Sequence, residues 1–218
     1  MPTLQFFWKK LFGNLLAQTA RRGAWSPTLR CVSKRTLDLL LGLAAAAIFL
    51  LPLLLLAILV KLTSKGPALY WSHRVGRNNT LFAMPKLRTM RVGTEVVATH
   101  LLRDPARCLT PVGGFLRTAS LDELPQLWCI LRGQMSIVGP RPALFNQKNL
   151  IQMRTEGGVH MIRPGLTGWA QINGRDTLPI PDKVALDLYY VRHQSLALDL
   201  RIIARTVSKV VRRDGVTH

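Results

Sequence analysis

An uncharged apolar run of about 22 residues, Leu39–Val60, constrains the fold of this chain more than any other feature. That length is enough for one helix to cross the hydrocarbon core of a bilayer. About 38 residues precede the run, and no small-residue cleavage site follows it, which argues against a plain signal peptide. The sequence therefore predicts a protein that is held at a membrane.

Two paths through the membrane remain open from these residues. Basic residues flank the run on both sides, so the distribution of positive charge gives no direction or places both ends in the cytoplasm. Pro52 lies within the run and removes a backbone donor there, which favours a kink. The chain either spans as one helix that tolerates the proline, or enters one leaflet, breaks near Pro52 and returns. Asp38, at the entrance, is spaced to pair with Lys34 or Arg35 on one helical face.

Charge and cysteine content restrict the partners of the chain. It has 30 Lys and Arg against 11 Asp and Glu, a net charge of +19, which predicts a nucleic acid, an anionic membrane face or a phosphorylated substrate as partner. A hydrophobic content of 48% argues against a disordered basic tail. The three cysteines form no CxxC pair, so neither a zinc site nor a disulfide framework is indicated. A reducing cytoplasmic environment fits this pattern.

The patterning predicts a mainly helical α+β protein in three parts. These are an N-terminal interfacial extension (1–33), an apolar membrane segment (34–61) and a more polar domain (62–218) that ends in an amphipathic basic helix. The extension interleaves aromatic and basic residues, which suits a membrane interface, although a partly ordered tail is an equal alternative. The elements expected after the apolar run are strands near 68–71 and 80–84 and helices at 121–131, 181–192 and 196–213. The helix at 121–131 is expected to carry Leu124, Leu127, Trp128 and Leu131 on one apolar face.

The adjacent carboxylates Asp122 and Glu123 are the strongest candidates for chemistry. In so basic a chain, such a pair is suited to hold a divalent cation, to attack an electrophile, or both. The structural alternative is a capping box, in which Ser120 caps a helix and Glu123 reaches back, but Pro125 weakens that pattern. We expect the amides at this helix start to favour the ionised form of Asp122.

Arginine and lysine residues around this pair are candidates for binding phosphate. Arg141 lies in Gly-Pro-Arg-Pro, where two prolines fix the backbone and aim the side chain. A single arginine elsewhere in so basic a chain is usually a solvated charge. There is no GxxxxGK[ST] loop and no GxGxxG loop, which argues against an ATPase or a dinucleotide enzyme.

Seven motifs, taken jointly, resemble the bacterial polyprenyl-phosphate phosphoglycosyl transferases of the monotopic type, often called bacterial sugar transferases. The similarity runs from about Lys34 to the C-terminus. The motifs are KRTLDL, TSKGP, PKLRTM, RTASLDELPQLW, GQMSIVGPRP, RPGLTGWAQINGR and LDLYYVRHQSLALDLRII.

The resemblance implies a fold and a mechanism. Residues 34–61 are expected to form a re-entrant hairpin in the cytoplasmic leaflet of the bacterial inner membrane, with its break at Pro52, and residues 62–218 are expected to form the catalytic domain. Asp122 and Glu123 are expected at the membrane surface with Mg²⁺, which Asp122 would bind. Asp122 is expected to attack the β-phosphorus of a UDP-sugar, release UMP and form a phosphosugar-aspartate. Polyprenyl phosphate (undecaprenyl phosphate) then accepts the phosphosugar, the first membrane step of O-antigen, capsule or exopolysaccharide assembly.

The predicted phosphate-binding and nucleotide-sugar-binding residues are Lys86, Arg88, Arg117 and Arg141. This sequence departs from the family pattern at Leu51-Pro52, where Ser-Pro is common, and at Gln134, where an acidic residue is common. The partners expected are a UDP-sugar, polyprenyl phosphate, membrane lipids and, in one possibility, a second copy in a homodimer. A non-catalytic basic scaffold at the membrane surface is the alternative function. A nucleic-acid binder is disfavoured, because no aromatic-rich basic module is present.

Overall fold

The computed structural model describes residues 27–97, 103–174 and 178–212. From Lys34 onward the chain folds as one compact unit. Most of the predicted N-terminal extension lies outside the described residues, and the three predicted domain boundaries stay predictions.

The secondary structure agrees with the predicted mainly helical α+β class. The strands form an antiparallel pair, β1–β2, and a parallel pair, β3–β4. In chain order the elements are α1 Pro27–Thr63, β1 Leu69–Val75, β2 Leu81–Leu87, α2 Gly113–Thr118, α3 Leu127–Leu131, β3 Ser136–Val138, α4 Lys148–Glu156, β4 Gly165–Thr167, α5 Trp169–Ile172, α6 Ile180–His193 and α7 Leu196–Arg212, with 3₁₀ turns at Arg77–Asn79, Leu121–Gln126 and Val159–Met161.

Helix α1 carries the apolar run as one continuous helix that contains Pro52. Leucine and alanine dominate its sequence, and both have high helix propensity. By length and composition, α1 is the one helix among the described residues that could cross a membrane. A continuous helix is compatible with both the spanning and the re-entrant path, because a proline inside a helix can kink it without ending it.

The polar start of α1 is joined to the rest of the fold by buried polar contacts. Asp38 is buried and accepts a hydrogen bond from Ser136 Oγ (2.9 Å). Lys34 Nζ forms a salt bridge with Asp199 (2.7 Å), and Arg35 donates to two backbone carbonyls of α3 (2.8 and 3.0 Å). The predicted pairing of Asp38 with Lys34 or Arg35 is therefore wrong. Buried groups elsewhere in the fold offer each side chain a partner away from water, which a contact on the helix surface lacks.

The chain around the acid pair is not one amphipathic helix. Residues Leu121–Gln126 form a 3₁₀ helix, and α3 follows it. Pro125 lacks the N–H that an α-helical turn would require there. Trp128, predicted on one apolar face with Leu127, is 53% exposed, whereas Leu127 is buried.

Two adjacent glycines allow α2 to approach the segment that follows β2. A Cβ at Gly113 would lie 2.1 Å from the carbonyl oxygen of Thr89, closer than any real contact. A Cβ at Gly114 would meet nothing nearer than a leucine methyl at 3.8 Å. Since α2 carries Arg117 and β2 carries Lys86, this approach brings two of the predicted phosphate-binding residues toward each other.

This geometry makes the glycine pair a matched test of the packing. We expect Gly113→Ala to lower the free energy of unfolding by about 1–3 kcal/mol, because the added methyl group overlaps backbone. Gly114→Ala should raise it by about 0.5–1 kcal/mol through helix propensity. Chemical denaturation of the two variants in the same detergent measures both changes. Equal effects of the two substitutions would contradict the close approach at Gly113.

Candidate active site

A single cavity of about 710 Å³ brings the predicted binding residues together. This volume is in the usual range for a small-molecule site. The predicted residues that line it are Lys86, Arg88, Arg117, Asp122 and Arg141. Eight basic and three acidic residues contribute to the wall, so the cavity is suited to an anionic ligand.

Glu123 lies behind the cavity wall in a cluster of ion pairs. Arg141 donates to both of its carboxylate oxygens, from Nη1 to Oε2 (3.2 Å) and from Nη2 to Oε1 (2.5 Å). Lys86 Nζ donates to Oε1 as well (3.1 Å). Burial alone would raise the pKa of Glu123, but Arg141 and Lys86 outweigh it and hold that pKa well below its ordinary value. Glu123 is therefore an ionised carboxylate that fixes two cations.

Asp122 faces the cavity and makes no salt bridge with a described residue. It is buried, and burial raises the pKa of its carboxyl group. The positive charges of Lys86, Arg117 and Arg141 oppose that rise, and the negative charge of Glu123 adds to it. The two adjacent acids thus differ in environment, and only Asp122 presents its carboxylate to a ligand.

The start of the 3₁₀ helix departs from the predicted cap. Ser120 has a left-handed backbone (φ 55°) and makes no side-chain capping bond, and Glu123 reaches the cations instead. The capping-box alternative for Glu123 is therefore wrong. Burial is the largest influence on the pKa of Asp122 and raises it, against the lowering expected from the amides at a helix start, and the ionised form of Asp122 stays a prediction.

Lys86 connects the hairpin to the acid pair. It lies on β2 opposite Tyr70 of β1, and both side chains line the cavity. Burial lowers the pKa of Lys86, Glu123 and Asp122 oppose that shift, and Arg141 adds to it. Strand β2 is rigidly paired, so the ammonium group is held at a fixed place beside both carboxylates.

The loop that carries Arg141 is held by two further arginines. Arg154 Nη1 donates to the backbone oxygen of Arg141 (2.8 Å), and Arg74 Nη1 donates to that of Pro142 (3.2 Å). Arg154 is itself fixed by Asp187, whose Oδ2 accepts from Nε (3.0 Å) and Nη2 (2.6 Å). The carbonyl oxygens of Arg141 and Pro142 are thus both hydrogen-bonded. These bonds help to fix the backbone of the Gly-Pro-Arg-Pro loop that orients Arg141.

Several residues of the cavity were not predicted from the sequence. The pair of Arg154 and Asp187 joins α4 to α6 across 33 positions, and no spacing rule links them. The available signal was a charged residue on the apolar face of each helix, since buried charges require a partner. The cavity-lining residues outside the prediction include Arg74, Arg91, Arg154, Gln171, Lys183 and Asp187.

The donor set fits one kind of metal site. Among the described residues, no three His, Cys, Asp or Glu side chains are grouped as metal ligands. Mg²⁺ does not need such a cage, because it is commonly held by one or two carboxylates together with substrate phosphates and waters. Asp122 meets that requirement, whereas Glu123 would have to leave its two cations. The residues therefore fit Mg²⁺ held by Asp122 and a bound diphosphate.

The arrangement is suited to transfer of a phosphoryl group. A buried carboxylate at a basic cavity wall can attack phosphorus, and fixed cations can neutralise the charge that develops. The positive charge of the same wall attracts an anionic ligand. The site thus has the chemistry of an enzyme that acts on phosphate esters.

Comparison with known proteins gives the same family as the motifs. The model of the bacterial sugar transferase family matches residues 29–213. The exopolysaccharide production protein ExoY of Sinorhizobium fredii is 40% identical over 196 residues, which cover 82% of this chain and 85% of that protein.

Two longer relatives carry more specific names. The UDP-glucose:undecaprenyl-phosphate glucose-1-phosphate transferase of Escherichia coli is 40% identical over 185 residues (81% of this chain, 39% of that protein). The UDP-galactose-lipid carrier transferase of Erwinia amylovora is 38% identical over 200 residues (84% and 41%). The chain thus spans about two fifths of the length of these two relatives. The resemblance found from the motifs is confirmed, and the chain belongs to the bacterial sugar transferase family.

Proposed function

We propose that this protein transfers a sugar-1-phosphate from a UDP-sugar to polyprenyl phosphate, such as undecaprenyl phosphate, and releases UMP. The observation that carries the proposal is the different environment of the two acids. Glu123 is held by two cations, while Asp122 presents a carboxylate without a salt bridge to the basic cavity. A non-catalytic scaffold would not require a buried carboxylate to face a cavity of this charge.

The reaction proceeds in two successive displacements at the same phosphorus. In the first, an Asp122 oxygen attacks the β-phosphorus of the UDP-sugar, the bond from that phosphorus to the bridging oxygen breaks, and UMP leaves with the electron pair. In the second, a phosphate oxygen of the acceptor attacks the same phosphorus, and the bond to Asp122 breaks. The carboxylate is regenerated and a polyprenyl-diphosphate sugar is formed. Covalent catalysis of this kind replaces one difficult step by two easier ones.

The cationic residues hold the two phosphates of the donor. Lys86 and Arg141 are fixed by Glu123, and Arg117 lies on α2 at the same wall. These fixed charges stabilise the transition state without reorganising during the reaction. Mg²⁺, when bound by Asp122 and the diphosphate, would supply further charge neutralisation.

The relatives support the donor and acceptor classes and leave the sugar open. Their printed names give UDP-glucose and undecaprenyl phosphate in one case and UDP-galactose and a lipid carrier in another. ExoY connects the family to exopolysaccharide production. We accordingly place this enzyme at the first membrane step of an exopolysaccharide or related glycan, with O-antigen and capsule as further possibilities.

The contacts of α1 support a monotopic path. Its start (Lys34, Asp38) and its end (Val60) both contact the same catalytic unit. A straight helix between Lys34 and Val60 would be about 39 Å long, more than the roughly 30 Å of the hydrocarbon core. A spanning helix would carry one of these ends to the far side of the bilayer, away from the domain that it contacts.

The middle of α1 is where the helix leaves the domain. Ala45 and Ala46 pack on one core cluster, and Leu53 packs on another. The six residues between them (47–52) are all exposed, and six residues cover every side of a helix. Pro52 lies at the end of this stretch, where a re-entrant hairpin needs its bend. The proposal therefore places 47–52 at the deepest point in one leaflet.

The C-terminal helix supports the same orientation. Helix α7 buries Asp199 and Ile202 against the fold, while Leu200, Val207 and Val210 are exposed beside basic residues. An exposed apolar stripe flanked by Lys and Arg suits an anionic membrane surface. Because nucleotide sugars are cytoplasmic metabolites, the proposal places the catalytic unit on the cytoplasmic face of the inner membrane. A homodimer stays a prediction.

Replacement of the nucleophile tests the activity. We expect Asp122→Asn to reduce UMP release from a panel of UDP-sugars by at least about a thousand-fold, because the covalent step is lost. Asp104→Asn, at a surface salt bridge with Arg107, is the matched control and should keep wild-type turnover. Membrane association should be the same for all three proteins. Wild-type turnover by Asp122→Asn would refute the mechanism, and a wild-type protein inactive on every donor would favour the scaffold function.

The topology is tested with single cysteines in a cysteine-free background. Val32→Cys and Lys65→Cys, at the two ends of the apolar segment, should both react with a membrane-impermeant maleimide from the same side of sealed vesicles. Leu51→Cys, in the exposed middle of α1, should be protected by lipid. Reaction of the two end positions from opposite sides would establish a spanning helix and contradict the monotopic path.

A further inference from the structure

Arg88 occupies a distinct place at the edge of the cavity, next to the turn that follows the membrane helix. We propose that Arg88 binds the phosphate group of the polyprenyl phosphate acceptor, separately from the residues that hold the UDP-sugar. This inference rests on the proposed function and assigns the acceptor half of the site.

Arg88 is anchored to the exit of the membrane segment. Helix α1 ends at Thr63, and Pro67 follows four residues later. Arg88 Nε donates to the backbone oxygen of Pro67 (2.8 Å), and the backbone N of Arg88 donates to that of Ala68 (2.8 Å). Four residues reach at most about 14 Å, so the guanidinium group lies close to the end of the membrane helix.

The surface beside this turn is apolar and exposed. Leu62, in the last turn of α1, is 79% exposed, and Trp71 of β1 is 49% exposed. On the alternate positions of β1, Tyr70 and Ser72 face the cavity. One side of the hairpin is therefore suited to the membrane interface, where tryptophan is favoured, and the other lines the cavity. An anion delivered from the membrane surface meets Arg88 at this boundary.

The guanidinium group of Arg88 is oriented but not neutralised. The Cζ atom of Arg88 lies 5.8 Å from the centre of the Tyr70 ring, and Nε donates its hydrogen bond to the backbone oxygen of Pro67. Neither Nη1 nor Nη2 makes a hydrogen bond or salt bridge with any described residue. Two free amino groups on a fixed planar fork match two oxygens of a phosphate monoester.

Lys86 and Arg141 contrast with Arg88 in this respect. Both are fixed on Glu123, beside the reacting carboxylate of Asp122. The acceptor must present its phosphate to the phosphorus on Asp122 after UMP has left, while its lipid chain stays in the bilayer. A cation at the membrane edge of the same cavity can hold the acceptor in that orientation without contributing to the first displacement.

The two displacements separate the roles experimentally. With the UDP-sugar alone, we expect Arg88→Lys to release one equivalent of UMP per enzyme at the wild-type rate, within about two-fold. With polyprenyl phosphate present, the KM for this acceptor should rise by about 10- to 100-fold, because the charge remains but the paired hydrogen bonds are lost. Arg107→Lys, whose side chain is 89% exposed, is the control and should change neither value.

A second variant and a second acceptor keep the test decisive. Tyr70→Leu leaves Arg88 in place and removes the ring beside it, so it should raise the same KM by a smaller factor. A short, water-soluble prenyl phosphate should show the Arg88→Lys defect as fully as the long acceptor in micelles, since the contact is to phosphate. A defect confined to the long acceptor would overturn the proposal in favour of membrane docking.

Other results would contradict either the role of Arg88 or the proposed function as a whole. An equal loss in the first displacement would place Arg88 on the donor and overturn the inference, as would an unchanged acceptor KM. If the wild-type enzyme releases no UMP from any UDP-sugar, the proposed function itself fails, whatever Arg88 does.

Discussion

The ion-pair cluster of Glu123 with Arg141 and Lys86 is the interaction on which the site depends. It joins the strand that carries Lys86, the 3₁₀ helix that carries both acids, and the proline-bounded loop that carries Arg141. Removing one partner of a fully buried pair typically costs about 3–5 kcal/mol, because the other charge is left uncompensated, and this partly buried cluster should cost less. By holding both cations, Glu123 fixes them beside Asp122 and leaves that carboxylate to face the cavity. Adjacent residues of the same chemical type thus acquire different roles through their surroundings.

A second constraint links this site to the membrane. The polar start of α1 and its apolar end both pack on the unit that contains the cavity, so the position of the cavity relative to α1 is set by tertiary contacts and not by a flexible linker. In the proposed reaction the lipid-linked acceptor cannot leave the bilayer, so Asp122 would have to lie at the level of the headgroups. Arg88 is hydrogen-bonded to the turn after α1 and lines the same cavity, and for this reason we infer that it meets the acceptor.

The sequence predicted those features whose residues are close together in the chain. The acid pair and the rigid setting of Arg141 are local, and the structure brings Asp122 and Arg141 to the wall of one cavity, with Glu123 behind it. The features that were not predicted correctly depend on partners that are distant in the sequence. Asp38 pairs with a strand residue almost a hundred positions away, and Arg154 with Asp187 on another helix. Helical periodicity also placed Trp128 on one apolar face with Leu127, because it could not include the 3₁₀ geometry that precedes α3 around Pro125, and Trp128 is exposed in the structure.

Peptide mapping by mass spectrometry tests the central claim most directly. The wild-type enzyme is mixed with each UDP-sugar in the absence of acceptor, quenched, digested and searched for a phosphosugar adduct. The account predicts an adduct on Asp122 with at least one donor, its loss on addition of polyprenyl phosphate, and none on Asp122→Asn. An adduct on Glu123, or the absence of any adduct across a broad donor panel that still supports turnover, would contradict it.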